Sequence, residues 1–81
     1  MITRVRFWSY FREKAGVAEI DVALTDNLPV GEAVNAILLQ IPALSPFRSS
    51  MLVAVGCEYQ TSEYCLQNGD ELSLFPPVQG G

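Results

Sequence analysis

Only one stretch of this chain repeats its apolar residues at helical spacing. Val30, Ala33, Val34, Ile37, Leu38 and Ile41 form a stripe, with Glu32, Asn35 and Gln40 on the far side. Pro29 suits the first turn of such a helix, and Pro42 ends it. Asn27 caps it if the helix begins one residue early, and Leu39 falls just beside the stripe. One helix covers one face of one sheet. The rest of the chain must therefore build that sheet, whose second face is left without helical cover.

The remaining segments read as strands and turns. Residues 2–10 alternate, with Val5, Phe7 and Ser9 on one face and Arg4, Arg6, Trp8 and Tyr10 on the other. Residues 11–16 read as a turn hinged at Gly16. Residues 18–24 alternate again, with Ile20, Val22 and Leu24 inward, so the two stretches suggest an antiparallel hairpin. Residues 42–50 contain two prolines and read as a loop. Met51 to Val55 is apolar on both faces and reads as a central strand, with the first and last strands as its neighbours. Residues 56–67 are short-strand and turn material around Tyr59 and Tyr64, Asn68-Gly69-Asp70 is a turn, and residues 71–75 form the last strand. The order β-β-α-β-(short β)-β describes an α+β chain of the β-grasp (ubiquitin-like) type. It is a mixed sheet with one main helix on one face, expected as a single domain over residues 1–81 with a protruding, flexible tail at 76–81.

Composition excludes several classes of function. Hydrophobic residues make up 49% and charged residues 17% of the 81, as in folded rather than disordered chains. No apolar run has the length of a membrane span and no basic-then-apolar leader is present, so the expected location is the cytoplasm, with no membrane partner. A net charge of −4 argues against nucleic acid. Arg4, Arg6, Arg12 and Lys14 fall in the first 14 residues, and only Arg48 is basic beyond them. They read either as solvated charge on a strand and its turn or as groups that position a partner. Cys57 and Cys65 are not in a CxxC pattern and are expected to be reduced, small, buried or half-buried residues. Histidine is absent, which removes the commonest general base and metal ligand, so neither a metal site nor a bound cofactor is expected.

Two features carry the functional reading. The uncovered sheet face would present Trp8, Leu52, Ala54 and Phe75 next to Arg4, Arg6 and Ser73. A contiguous patch with two large aromatics marks a partner surface, unless the loops at 42–50 or 56–67 cover it. After Phe75 the chain changes character. Pro76 and Pro77 lack N–H donors and hold the chain extended, and Val78, Gln79, Gly80 and Gly81 follow. From Pro76 the six residues reach roughly 20 Å at about 3.3–3.6 Å each. A Gly-Gly pair is also common in frayed ends. Here a strand and a rigid spacer lead into it, and glycines pass through a channel too narrow for any side chain. That suits the delivery of the Gly81 carboxylate into another protein's active site.

The close Phe75-Pro76-Pro77-Val78-x-Gly80-Gly81, preceded by Asn68-Gly69-Asp70-Glu71-Leu72, resembles the small, sulfur-carrier subunits of molybdopterin synthase. Val5-x-Phe7 followed by Phe11-Arg12-Glu13 and Gly16 resembles them too, so the likeness runs over essentially the whole chain. Gly-Gly alone is shared with ubiquitin and the thiazole-synthesis carrier, whereas the Asn-Gly-Asp-Glu turn with Phe-Pro-Pro-Val is much more specific. Pro29 stands where that family often has a Thr cap, and Gly56-Cys57 where an Asn commonly follows the central strand.

The resemblance implies a chain that is not an enzyme in isolation. An adenylyltransferase related to ubiquitin-activating enzymes would adenylate Gly81, using ATP and Mg, and a persulfide-derived sulfur would convert it to a thiocarboxylate. Gly80, Gln79, Val78, Pro77 and Pro76 would thread the tail into the molybdopterin synthase large subunit, in a heterotetramer of two small and two large subunits. There the sulfur would build the molybdopterin dithiolene. Phe75, Trp8, Leu52, Arg6 and Arg12 would bind the partner. The other readings are a carrier for thiazole or tRNA thiolation, and a ubiquitin-like binding module that is never activated. A thiol enzyme is disfavoured, because nothing next to either cysteine is suited to activate a thiol; the nearby charged residues are the acidic Glu58 and Glu63.

Overall fold

The computed structural model describes residues 1–77. Strand β1 (Ile2–Phe7) is followed by helix α1 (Tyr10–Ala15), β2 (Glu19–Ala23), helix α2 (Val30–Gln40), a 3₁₀ segment (Pro42–Ser50), β3 (Leu52–Val55), β4 (Glu58–Tyr59) and β5 (Glu71–Phe75). The five strands form one mixed sheet in the order β2-β1-β5-β3-β4. The first and last strands pair in parallel, Val5 opposite Leu72 and Phe7 opposite Leu74, while the other pairs are antiparallel. This is the β-grasp arrangement expected from the element order.

The core lies between the sheet and α2. Alternation sends Thr3, Val5 and Phe7 of β1, Val22 of β2, and Leu72 and Leu74 of β5 to the covered face. Val30, Ala33, Val34, Ile37 and Leu38 of α2 meet them. Each large side chain so buried contributes about 1.5–3 kcal/mol. Leu39, beside the stripe, is 84% exposed. No side chain caps the start of α2, and Asn27 does not serve. Main-chain carbonyls of the 62–64 segment take over instead: the Val30 N–H donates to Tyr64 O at 2.8 Å and the Gly31 N–H to Ser62 O at 3.0 Å. That approach favours a glycine, since a Cβ on Gly31 would lie 3.1 Å from the Ser62 Cβ and Ser62 would have to give way by a few tenths of an ångström.

Four expectations are corrected. Residues 8–10 do not extend the first strand, and 11–16 is more than a turn. Tyr10 to Ala15 is a short helix that buries Phe11 completely and ends on Gly16 at φ 80°, whose N–H donates to Arg12 O at 3.0 Å. Residues 42–50 are 3₁₀ helix rather than loop, and they bury Leu44. Its Phe47 ring packs 5.5 Å from Phe11 and 5.7 Å from Tyr10. The Met51–Val55 stretch is flanked on both sides as expected, but its second neighbour is β4 rather than the first strand, and the middle of the sheet is β5. Strand β3 pairs with β5 and β4, and β5 is the strand between β1 and β3. Finally, Cys57 and Cys65 are both exposed free thiols. Cys57 follows Gly56 at φ 62° in the β3–β4 turn, where the chain has left the core.

Candidate functional site

The face of the sheet away from α2 divides into two halves with different chemistry. On β1 and β2 it is ionic. Arg4 Nε donates to Asp21 Oδ1 at 2.9 Å, and Arg4 Nη1 lies 3.6 Å from Glu19. Arg6 Nε is 3.5 Å from Glu19 and 3.7 Å from Glu71. The hydrogen bond to Asp21 and the neighbouring carboxylates raise the Arg4 pKa above its ordinary value. These groups are about half exposed, so each pair contributes little to stability. They compensate one another and leave that half close to neutral.

On β5, β3 and β4 the same face is aromatic and aliphatic. Register places Leu52 opposite Phe75, and Ala54 opposite both Ser73 and Tyr59. The Trp8 ring stacks on Phe75 with centroids 5.7 Å apart and planes 7° from parallel, and Tyr59 meets the other flank of Phe75 edge-on at 6.0 Å. Trp8 remains 39% and Tyr59 65% exposed. The 3₁₀ segment packs on α1 and α2, and Tyr59 is the one side chain of the 56–67 stretch whose ring pairs with these aromatics among the described residues. The patch therefore stays open.

The structure brings the five partner-face residues named from sequence into one continuous surface. Phe75, Trp8 and Leu52 form its apolar part. Arg6 and Arg12 stand beside Trp8, lining with Phe7, Ala18 and Glu19 a shallow cleft of about 280 Å³. Among the described residues Arg12 has no ion-pair partner. Tyr59 belongs to the patch but is not among the sequence-named residues. Its signal was the two-residue Gly56-Cys57 turn, which returns β4 alongside β3 and puts Tyr59 opposite Ala54.

The strand ends at Phe75, and Pro76 and Pro77 are half-buried rather than free of the body. Together with Ser9, Tyr10, Leu52, Tyr59 and Phe75 they line a second cleft of about 380 Å³. The root of the tail thus borders the aromatic patch directly. Val78, Gln79, Gly80 and Gly81 lie outside the described residues. Among the described residues, no group of three His, Cys, Asp or Glu could hold a metal ion, and no helix is long and apolar enough to cross a membrane.

Comparison with known proteins bears on this arrangement. The molybdopterin synthase sulfur carrier subunit of Haemophilus influenzae is 38% identical over 80 residues, covering 95% of this chain and 96% of that one. The protein of the same name from Chlamydomonas reinhardtii is 30% identical and covers both chains completely. Among solved structures, small archaeal modifier protein 1 of Haloferax volcanii superposes with a TM-score of 0.87 at 28% identity over 100% of both chains. The ThiS family model matches residues 5–81, and the chain belongs to that family.

Proposed function

We propose that this chain is the sulfur carrier subunit of a molybdopterin synthase. The observation that carries the reading is that Phe75 is both the centre of the open aromatic patch and the last residue before Pro76-Pro77. A partner seated on the patch is therefore in register with whatever follows the prolines. The end-to-end likeness to sulfur carrier subunits of that enzyme supports this destination over thiazole or tRNA thiolation.

In this reading the Gly81 carboxylate, a poor electrophile, is activated as an acyl adenylate by a separate enzyme that uses ATP and Mg. The outer sulfur of a persulfide on a donor protein displaces AMP to form an acyl disulfide, and a thiol then cleaves its S–S bond, which releases the Gly81 thiocarboxylate and leaves a disulfide behind. The carrier then docks through Trp8, Phe75, Leu52, Arg6 and Arg12 onto the large subunit, and residues 76–80 thread the terminal sulfur into its pocket. Tethering raises the effective concentration of the nucleophile there. The chain contributes binding and reach, and the partners contribute the catalytic groups.

The test is the intact mass after co-expression with a candidate activating enzyme and a persulfide source. One oxygen exchanged for sulfur, localised by fragmentation to Gly81, is expected. Localisation matters because oxidation of Met1 or Met51 adds nearly the same mass. Deletion of Gly81 should abolish the exchange without changing the melting temperature. An unmodified Gly81 in the presence of a competent activating enzyme would refute the carrier chemistry. Covalent adducts of Gly81 with other proteins would support a second reading, favoured by the likeness to small archaeal modifier protein 1.

A further inference from the structure

Two non-glycine residues among those described have positive φ, Ser9 at 57° and Asn27 at 60°. Asparagine tolerates that conformation. Serine 9 is different, because its ψ of −139° places it near the first central position of a type II′ turn, a site that ordinarily demands glycine. The turn is closed by the Phe11 N–H donating to Trp8 O at 3.1 Å.

Both sides of this turn are anchored. The Trp8 N–H donates to Leu74 O at 3.1 Å, which keeps Trp8 in register with β5. Phe11, two residues beyond Ser9, is completely buried. The chain has only Ser9 and Tyr10 in which to pass from the sheet ladder to that buried ring. A residue held in a sparsely populated conformation by such surroundings is a recognised mark of a functional position. What lies beside it here is the tail root. Trp8 stacks on Phe75, and Ser9 and Tyr10 line the cleft that also contains Pro76 and Pro77.

We propose that the strained turn at Ser9 is a positioning element for the tail. It holds Trp8 flat on Phe75 and fixes one wall of the cleft at Pro76-Pro77, and so sets the direction of the chain at the tail root. Ser9 acts through Trp8 and Tyr10 rather than on the reacting carboxylate. Only the rate measurement below rests on the sulfur-carrier reading.

The experiment compares Ser9→Gly, which fits the turn without strain, with Ser9→Val, whose branched Cβ disfavours positive φ. Two readouts are taken on the full chain. The first is the ring-current shift of the Pro76 and Pro77 ring protons by NMR, which needs no partner. The second is the rate of thiocarboxylate formation at Gly81 with the activating enzyme. Ser9→Gly should raise the melting temperature, keep the proline shifts and react within two-fold of the parent. Ser9→Val should lose the shifts and react at least ten-fold more slowly.

Retained shifts in folded Ser9→Val, or lost shifts with an undiminished rate, would overturn the proposal. If Ser9→Val does not fold, a fall in the melting temperature of Ser9→Gly would overturn it as well. If the parent chain itself is never modified at Gly81, the carrier reading fails, while the proline shifts still decide whether Ser9 orients the tail root.

Discussion

Phe75→Ala tests the link between the patch and the sheet. Truncating a fully buried Phe costs about 3–5 kcal/mol. Phe75 is partly buried, so roughly half of that applies, or ~2 kcal/mol. The ring pairs give a separate route to the same figure. Phe75 meets Trp8 at 5.7 Å and Tyr59 at 6.0 Å, and two such pairs at about 0.5–1.5 kcal/mol each span the same value. In a chain of this size each kcal/mol moves the melting temperature by about 4–8 °C, so a fall of about 8–16 °C is expected. Thermal unfolding by far-ultraviolet circular dichroism measures it. The near-ultraviolet band of Trp8, the only tryptophan, should weaken in parallel because its stacking partner is gone. Phe75→Leu keeps much of the apolar area and should lose about half as much stability. A melting temperature for Phe75→Ala within about 2 °C of the parent, less than about 0.5 kcal/mol, would refute the view that these rings support the sheet. The patch would then be purely a docking surface.

Three further outcomes are expected. Gly16→Ala meets no atom within 4 Å but must hold φ 80°, so the urea midpoint should drop by the equivalent of about 1 kcal/mol with an unchanged slope; an unmoved midpoint would contradict the left-handed cap. The Tyr64 hydroxyl donates to Asp70 Oδ2 at 3.1 Å, and that bond holds its pKa above the ordinary tyrosine value. Its stabilising contribution is therefore complete below the ordinary tyrosine pKa and is lost as pH rises through the higher folded value; Asp70→Asn should bring the tyrosinate absorbance change of Tyr64 back toward the ordinary range, and an unshifted titration would deny the bond. Gly80→Val should block thiocarboxylation or sulfur transfer by steric conflict in the partner's channel, and a normal rate would mean that the channel is wide.

Much of this architecture is legible from residue periodicity, and the places where it is not share a cause. Strands β1 and β2 and helix α2 have one wet and one dry side, so alternation or a 3.6-residue stripe reveals them. Helix α1 has six residues, too few to display a period, and Trp8 and Tyr10 before and within it continue the alternation of β1. Its helical state is imposed from outside, by burial of Phe11 and its packing against Phe47. The central position of β5 is hidden for another reason. Ser73 is polar and small, and it is buried on the open face because Arg6 and Ala54 stand on either side of it. Burial by neighbours' bulk leaves no hydrophobic signature in the residue that is covered. The patch residues Trp8 and Phe75 were visible as outward positions of alternating stretches, and Leu52 as one face of a stretch apolar on both. Tyr59 was not, because β4 has only two residues and depends on β3 for its existence.

The parallel pairing of β1 with β5 has a consequence for how the molecule is made. During synthesis β2 and β1 can pair early, and β3 and β4 can pair later, but each pair keeps an open edge until β5 emerges and fills the gap between them. That joining contact spans nearly the whole chain and is the slowest kind to form. Only Pro76 and Pro77 separate residues 78–81 from the strand that completes the sheet. A chain cut short anywhere before Phe75 loses both the means to fold and the tail. The topology therefore ties whatever follows Phe75 to the strand that completes the sheet.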